Sequence, residues 1–364
     1  MASDTRRNYF MNSNTHRSSQ YFLMALGIRC AGYLFGVVLA LGPHALRAQQ
    51  GVDSAVRRAT DYLILKQDTR GAILESRPNE TAMTALALLA MAAVGHQPTE
   101  EGKYGDAFRK ALQFVLKEDR QDKDGYFGSA DGSRMYGHGI VTLLLAELAG
   151  MGGDPEVNGV LRKRCQAGVD LILRAQSTVK AKGQEGGWRY SPKASDSDLS
   201  VTVWQLMALR AAKNSGFDVP GTAVEQAVSY IKRLHTSKIF AYQAGAQSNW
   251  ATASEGLLAL QVCGEYESRE VLVTSDWLLT NPPKVSEFFF YGMYYYAQGM
   301  YQRGGSHADA AAQRVAELLL PLQDTDGSWK SAGNSSEGSL RIYRTAMAML
   351  SLAVKYHYLP IYQR

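Results

Sequence analysis

The sequence predicts an all-α protein, an α/α toroid in which six helical hairpins form an inner and an outer ring of helices. Amphipathic segments alternate with segments that are apolar on nearly every face, and this alternation recurs six times along the chain. No strand pattern of convincing length interrupts it. The 364 residues are 46% apolar and 20% charged, which supplies a core and excludes a disordered or fibrous chain.

The amphipathic segments predict the outer helices. At the start of the predicted domain, Val52, Val56, Ala59 and Leu63 recur at helical spacing, with charged residues such as Arg57 between them. One face of such a helix packs against the protein and the other meets water.

The apolar segments predict the inner helices, because they offer no solvated face and must be surrounded by other helices. An open superhelix of hairpins would leave the apolar helix of each end repeat exposed and would need polar caps. The first and last apolar segments are as apolar as the others, so closure into a ring is favoured. The segments are residues 81–94, 139–149, 200–212, 252–262, 288–300 and 345–354.

Residues 1–48 are predicted to be a signal peptide or an N-terminal membrane anchor, and residues 52–364 a single toroid domain. A short apolar run at 30–41 follows a basic, polar stretch and precedes a small-residue cleavage point at 46–48. The alternative is an uncleaved anchor that would place Arg29 inside the bilayer. Either way, the domain is expected to be exported, periplasmic or membrane-anchored outside the cytoplasm.

The charge distribution limits the partners. The N-terminal 48 residues carry +4 of the formal net charge of +5, so the domain is nearly neutral and nucleic acid is excluded as a partner. Three cysteines are too few for a disulfide scaffold and are not spaced for a zinc site. We expect no metal and no cofactor. Membrane association is expected only through the N-terminal segment, and the sequence identifies no protein partner.

Several loops share a motif of Gln, a short spacer, Gly, any residue and then an aromatic residue. Gln can bond backbone groups at a helix end, Gly permits a positive φ angle and the aromatic ring covers the turn. The motif therefore predicts a structural clamp. Clear examples run from Gln121 to Phe127 and from Gln323 to Trp329; Gln176 with Gly187 and Trp188 is a stretched example, and Gln67 with Gly71 a degenerate one.

Together with residues 186–192, the aromatic run at 288–296 and the ending at 358–362, these loops resemble the prenyltransferase and squalene-oxidase repeat family. This family includes terpenoid cyclases and the β-subunits of protein prenyltransferases, and the resemblance is closest to its small exported bacterial members. The resemblance covers the whole domain and implies an α/α toroid. It also implies an apolar, isoprenoid-class ligand.

The resemblance implies two catalytic candidates, Asp198 and Asp196. Triterpene cyclases carry Asp-x-Asp-Asp-Thr-Ala here, and the second Asp protonates the substrate. Asp196 and Asp198 match the first two acids, whereas Leu199 replaces the third. The competing interpretation is that one of the two carboxylates caps the following helix, whose positive end stabilises the charged form and opposes proton donation.

The substrate-binding candidates fall into two groups. Aromatic residues on inner helices predict an apolar pocket formed by Trp204, Tyr291, Tyr294 and Tyr295. Arginines where the inner helices begin predict a rim that holds an anionic head group such as a polyprenyl phosphate. The rim candidates are Arg189 and Arg344, beside Arg134, Lys193 and Arg341, with a solvated charge or a pair with a carboxylate as the alternative for each arginine. His138 is a further rim candidate, for which a structural hydrogen bond is the alternative.

These observations predict a protein that binds an apolar ligand inside the toroid, with catalysis left open. By resemblance, squalene cyclases need two toroidal domains, and protein prenyltransferases need an Asp, Cys and His zinc site that Cys263 does not provide. Two enzymatic alternatives remain. One is a terpenoid cyclase or prenyl-transferring enzyme with Asp198 as acid. The other is a secreted carbohydrate-active enzyme, favoured if Glu255 or Glu287 faces Asp198.

Overall fold

The computed structural model describes residues 43–75, 78–149, 151, 153–333, 337 and 340–363, with side chains from residue 50 onward. The chain divides into two compact units, Met1–Gly51 and Val52–Arg364. The apolar run at 30–41 and the alternative anchor lie outside the described residues, so the signal peptide or anchor stays a prediction. In the described part, no helix is long and apolar enough to cross a membrane.

The described residues form twelve α-helices and no strands, only isolated bridges, which confirms the all-α prediction. The helices alternate between amphipathic and almost fully buried. The amphipathic helices are α1 (Pro43–Leu65), α3 (Lys103–Val115), α5 (Pro155–Gln176), α7 (Gly221–Arg233), α9 (Arg269–Thr280) and α11 (Gly305–Leu319). The buried helices are α2 (Glu80–Ala93), α4 (Arg134–Leu148), α6 (Leu199–Asn214), α8 (Trp250–Gln261), α10 (Phe289–Arg303) and α12 (Arg341–Leu352).

The six buried helices form a closed inner ring. Each packs against the next in chain order, and α12 packs against α2 as well as α10. Burial matches this position, since every residue of α2 except Met83 is buried. The predicted toroid of six hairpins is therefore confirmed.

The glutamine motif is a clamp between consecutive hairpins. Gln121 Nε2 donates to the backbone oxygen of Gly125 in its own loop and to that of Arg164 on the next outer helix, both at 3.0 Å. Gln67 and Gln176, the degenerate and stretched examples, make the same pair of bonds. The glycine in the Gln176 loop is Gly186 rather than the expected Gly187, because Gly186 has the positive φ angle, 89°, and lies two residues before the aromatic Trp188.

The last clamp closes the ring. Gln323 Nε2 donates to Gly327 in its own loop at 3.0 Å and to Ala55 on α1 at 2.8 Å. Gly327 has a φ angle of 91°, and a Cβ atom there would lie 2.2 Å from the backbone oxygen of Arg58. Only glycine fits at this contact between the last loop and the first helix.

The C-terminal tail, residues 353–363, covers the C-terminal ends of two inner helices. Gln302, in the last turn of α10, donates to the backbone oxygen of Tyr362 at 2.6 Å. Ile361 donates its backbone N–H to Glu147 Oε2, in the last turn of α4, at 3.4 Å. The hydroxyls of Tyr294 and Tyr362 are hydrogen-bonded. The tail thus covers the inner ring at the end opposite to the helix N-termini.

We expect Gly327→Ala to destabilise the domain more than Gly304→Ala. Both glycines have positive φ angles, 91° and 76°, but nothing lies within 4 Å of a Cβ atom at Gly304. The control should lose about 1 kcal/mol through backbone strain alone. Gly327→Ala should lose at least about 2 kcal/mol more, because the clash forces the last loop away from α1. Urea unfolding measures both; equal losses would show that the contact does not secure closure.

Candidate functional site

A cavity of about 720 Å³ lies at the N-terminal ends of the inner helices. All six inner helices line it, which shows that they run parallel. One lining residue from each, in chain order, is Met83, Tyr136, Trp204, Glu255, Tyr291 and Tyr343. The mouth of the cavity opens to solvent and consists of the exposed lining residues Gly132, Gln247, Asn249, Phe288 and Leu340. The volume suits a small-molecule ligand.

The repeated loop determines which side chains face the cavity. In four loops, the residue two positions after the motif glycine donates its backbone N–H to the following inner helix. The acceptors are Thr84 Oγ1 (3.0 Å), His138 Nδ1 (3.2 Å), Thr202 Oγ1 (3.0 Å) and Thr345 Oγ1 (3.3 Å). The side chain two residues before each of these acceptors is rotated by about 200° around its helix, so it faces the axis of the ring. The residues at those positions are Ala82, Tyr136, Ser200 and Tyr343, and all line the cavity.

Glu255 is the central polar group of the cavity. Its carboxyl group lies on α8, and Glu255 Oε2 accepts a hydrogen bond of 2.8 Å from Ser200 Oγ on α6. Burial raises the pKa of Glu255 to about 8, because the charged form loses its hydration, and the nearby Asp198 acts in the same direction. At neutral pH the group is therefore a protonated carboxylic acid and can donate a hydrogen bond.

Neutral phenols surround this acid. Burial raises the pKa of Tyr136, Tyr291 and Tyr343 well above the usual value, so all three keep their protons. The hydroxyl oxygen of Tyr291 is buried near Ser200 and Tyr295, but neither is placed in good hydrogen-bond geometry with it. The cavity is thus apolar and aromatic, with uncharged donors near its centre.

The described residues do not form the expected anionic site at the rim. Among the described residues that line the cavity, none is Lys, Arg or His. Carboxylates already occupy helix N-termini: Asp131 Oδ2 accepts the N–H groups of Thr81 and Ala82 at 2.9 and 3.0 Å. Glu337 caps α10 in the same way, at 3.0 Å. These caps offset the positive helix ends that would attract a phosphate.

Asp198 lies outside the cavity lining, with both carboxylate oxygens occupied. Oδ1 accepts the N–H of Val201 at 2.8 Å and caps α6, and Oδ2 accepts from Arg189 Nη1 at 2.7 Å. The side chain is fully buried. Burial raises the pKa of Asp198, whereas Val201 and Arg189 oppose this shift. The capping interpretation therefore describes the observed contacts.

Arg189 and Asp196 belong to the same ion-pair network rather than to the cavity wall. Arg189 Nε lies 3.2 Å from Asp196 Oδ2, and the Asp196 side chain is half exposed. The guanidinium also stacks on the ring of Tyr190 at 4.4 Å from its centroid and donates to the hydroxyl of Tyr242 at 3.0 Å. Tyr190 and Tyr242 do line the cavity, so this network supports the wall from behind.

Arg344 and His138 also lie away from the cavity lining. Arg344 donates to the backbone oxygens of Trp329 at 3.0 Å and Glu337 at 2.7 Å. His138 takes the place of the repeated threonine, and its Nε2 bonds the backbone oxygen of Gly168 at 3.0 Å. Burial lowers the pKa of His138 to about 4, which keeps the ring neutral. Both side chains hold loops in place, as the structural alternative for His138 proposed.

The four aromatic candidates lie together, but only two line the cavity. Trp204 and Tyr291 contribute to its wall. Tyr294 stacks on Trp204 with ring centroids 5.9 Å apart, and Tyr295 meets the same indole edge to face at 6.2 Å. These two tyrosines therefore support the wall from inside the ring.

Most residues of the cavity wall were not predicted from the sequence. Tyr136, Ser200 and Tyr343 were not proposed, and Glu255 entered only as part of a carbohydrate-active alternative. A usable signal was present, because the repeated Thr or His marks the outward face of each inner helix. The residue two positions before this Thr or His then marks the cavity.

In the described part of the chain, no three His, Cys, Asp or Glu side chains lie close enough to hold a metal ion.

No known family model matches the sequence, and no curated protein matches it. The structure is similar to two variants of the type II terpene cyclase MstE from Scytonema. The variant in complex with merosterolic acid A, its product, has a TM-score of 0.59 and 14% identity, over 86% of this chain and 99% of that chain. The variant in complex with geranylgeranyl dihydroxybenzoate, its substrate, has a TM-score of 0.54 and 12% identity, over 86% and 100%.

A protein from Actinoplanes is similar at a TM-score of 0.55 and 15% identity, over 84% of this chain and 98% of that one. At such identities the likeness establishes the fold alone. The domain thus has a terpenoid cyclase-like toroid fold, as the resemblance implied. The more specific assignment, to the small exported bacterial members of the repeat family, stays a prediction.

We expect Glu255→Gln to stabilise the protein at alkaline pH. The pKa of Glu255 is about 8 in the folded protein against an ordinary 4.5, so the folded state holds a proton that the unfolded state lacks between these values. Stability then falls as pH rises through this window. The variant should match wild type near pH 4 and have a Tm about 2–6 °C higher at pH 8.

Thermal unfolding from pH 4 to 9 measures this difference. The exposed Glu317→Gln on α11 is the control and should follow the wild-type curve. Glu147, whose pKa burial also raises to about 8, leaves part of the slope in every variant. Parallel curves for wild type and Glu255→Gln would contradict the buried-acid assignment.

Proposed function

We propose that the protein binds an apolar ligand of the isoprenoid class in the central cavity. The observation that carries this proposal is the cavity itself, about 720 Å³ in volume and formed by the N-terminal halves of all six inner helices. Its wall contains aromatic rings from several helices, including Trp204, Tyr291 and Tyr343. Binding of an apolar molecule to such a surface is favourable, and the favourable free energy is roughly proportional to the apolar area removed from water.

The similar structures support the isoprenoid class. The MstE variants bind a geranylgeranyl-bearing substrate and a terpenoid product on the same fold. Fold likeness alone does not transfer activity. The wall of this chain supports an apolar ligand independently, because its described lining residues are mostly aromatic, aliphatic or small.

The enzymatic alternative is a terpenoid cyclase or a prenyl-transferring enzyme. Asp198, the acid that the resemblance implied, has both oxygens occupied and does not line the cavity. Glu255 is better placed, but its pKa of about 8 makes it a weak acid, whereas protonation of an alkene requires a strong one. Binding without turnover is therefore the function that we favour.

The carbohydrate-active alternative required two opposed carboxyl groups. Glu255 faces the cavity, but Asp198 is engaged elsewhere and Glu287 is an exposed residue that does not line it. The geometry therefore gives this alternative little support.

Export is a further part of our proposal that depends on residues 1–48. Fractionation of cells that express the full chain would test it.

We expect an apolar lipid to copurify with the domain and to be released into organic solvent. Mass spectrometry of such extracts should detect it at near-stoichiometric amounts in wild type and in Met83→Leu, which conserves the side-chain volume. Met83→Trp should reduce the amount of lipid several-fold, because Met83 lines the cavity and the larger indole would take up part of the space at the wall. Equal lipid in all three proteins would place the lipid elsewhere, and a lipid-free wild type after mild extraction would count against the proposal.

We expect no cyclisation of geranylgeranyl dihydroxybenzoate, the substrate of the similar MstE. Cyclisation is an isomerisation, so chromatography coupled to mass spectrometry would reveal a product of unchanged mass and shifted retention. Its formation by wild type would overturn binding without turnover. Glu255→Gln and Asp198→Asn would then identify the acid, because the variant that removes it should lose at least about a thousandfold in rate.

A further inference from the structure

The polar groups of the cavity point to a feature of its ligand that an apolar wall alone would not require. Glu255 and Ser200 meet inside the ring at 2.8 Å, on helices whose other cavity-facing neighbours are mostly aromatic or small. Glu255 is 2% exposed and Ser200 is 5% exposed, so bulk water does not compensate for their burial. A carboxyl group at such a position needs a hydrogen-bond partner for its proton.

The neighbouring tyrosines add hydroxyl groups, each of which has a proton to donate as well as an oxygen that can accept. Tyr291 lines the same cavity as Glu255, and its buried hydroxyl meets no described group in good hydrogen-bond geometry, although Ser200 and Tyr295 lie near it. Tyr136 and Tyr343 contribute further phenols from α4 and α12. A phenol or a protonated carboxyl can donate one hydrogen bond each, so the cluster is rich in donors.

The charges of the lining residues further restrict the chemical class of the ligand. Among the described lining residues, the carboxyl groups are those of Glu255 and Glu337, and Glu337 already caps α10. With no described cationic side chain in the wall, a phosphate or a diphosphate would be buried without a counter-charge. A plain hydrocarbon would cover the donors and leave them unbonded.

We propose that the ligand is an uncharged isoprenoid that carries a hydrogen-bond-accepting oxygen, such as a ketone, quinone, ether or epoxide, which Glu255 and the surrounding phenols bind. This inference rests on the proposed function, because it assumes that an isoprenoid enters the cavity. It adds the chemistry of the head group and assigns Glu255 as the residue that selects it. The oxygen accepts hydrogen bonds, and no covalent step is involved.

The test compares ligands that share one farnesyl chain. Farnesylacetone offers a carbonyl oxygen, and its hydrocarbon analogue has a methylene group in place of that oxygen. Farnesyl diphosphate supplies an anion. Titration of the purified, delipidated domain at pH 6.5, followed by tryptophan fluorescence or calorimetry, should show the ketone binding about 5- to 30-fold more tightly than the hydrocarbon. The diphosphate should bind most weakly.

Variants identify the donor. Glu255→Leu should bring the ratio of ketone to hydrocarbon affinity close to one, whereas Glu255→Gln, which keeps an N–H donor, should retain a preference. Glu147→Gln is the matched control, because it changes the other buried carboxyl at the tail end of the ring and should leave the ratio unchanged. In wild type, the ratio should fall as pH rises through about 8, as the carboxyl group loses its proton, and it should stay flat in Glu255→Gln.

The outcomes are distinguishable. If the ketone and the hydrocarbon bind equally well to wild type, or the diphosphate binds most tightly, the head-group inference is wrong while ligand binding in the cavity stands. If neither neutral compound binds, the proposed function itself fails. If Glu255→Leu does not fold, the pH dependence of wild type against Glu255→Gln decides. Asp198 lies near Glu255 and is unchanged in every variant, so it does not produce a difference between them.

Discussion

The cavity depends on the clamps by which four of the six hairpins hold the next, made by Gln67, Gln121, Gln176 and Gln323. A glutamine amide bonds the backbone of its own loop and of the following outer helix, and the glycine of the loop packs directly on that helix. Because Gln323 bonds Ala55 in the same way, the last hairpin meets the first and the inner helices close around one axis. Without closure, the apolar inner helices of the terminal hairpins would face water, and no enclosed space would exist.

The fold could be predicted from the sequence because it rests on patterns that repeat. Helical spacing separates amphipathic from apolar segments, and ring closure follows from the apolar character of the first and last inner helices. The degenerate loop around Gln67 makes the same backbone hydrogen bonds as the other loops, although Ile73 stands at its aromatic position. A strict sequence motif would therefore have missed this clamp. The clamp depends on the amide and the glycine more than on the ring.

The site was harder to predict because it depends on which face of each inner helix points inward. A fully buried helix has no polar face to orient it, so the periodicity of hydrophobicity is uninformative there. The aromatic residues of the inner helices correctly indicate that Trp204 and Tyr291 line the cavity. Charge near the helix starts indicates Arg189 and Arg344, which do not line it. Both arginines instead satisfy carboxylate or backbone oxygens, as buried cations generally must.

The C-terminal tail has a kinetic consequence. It covers the C-terminal ends of α4 and α10, on the side of the ring opposite to the mouth of the cavity. The mouth is then the route by which a ligand of the kind that we propose would both enter and leave, so the residues that form it would set the rate of exchange.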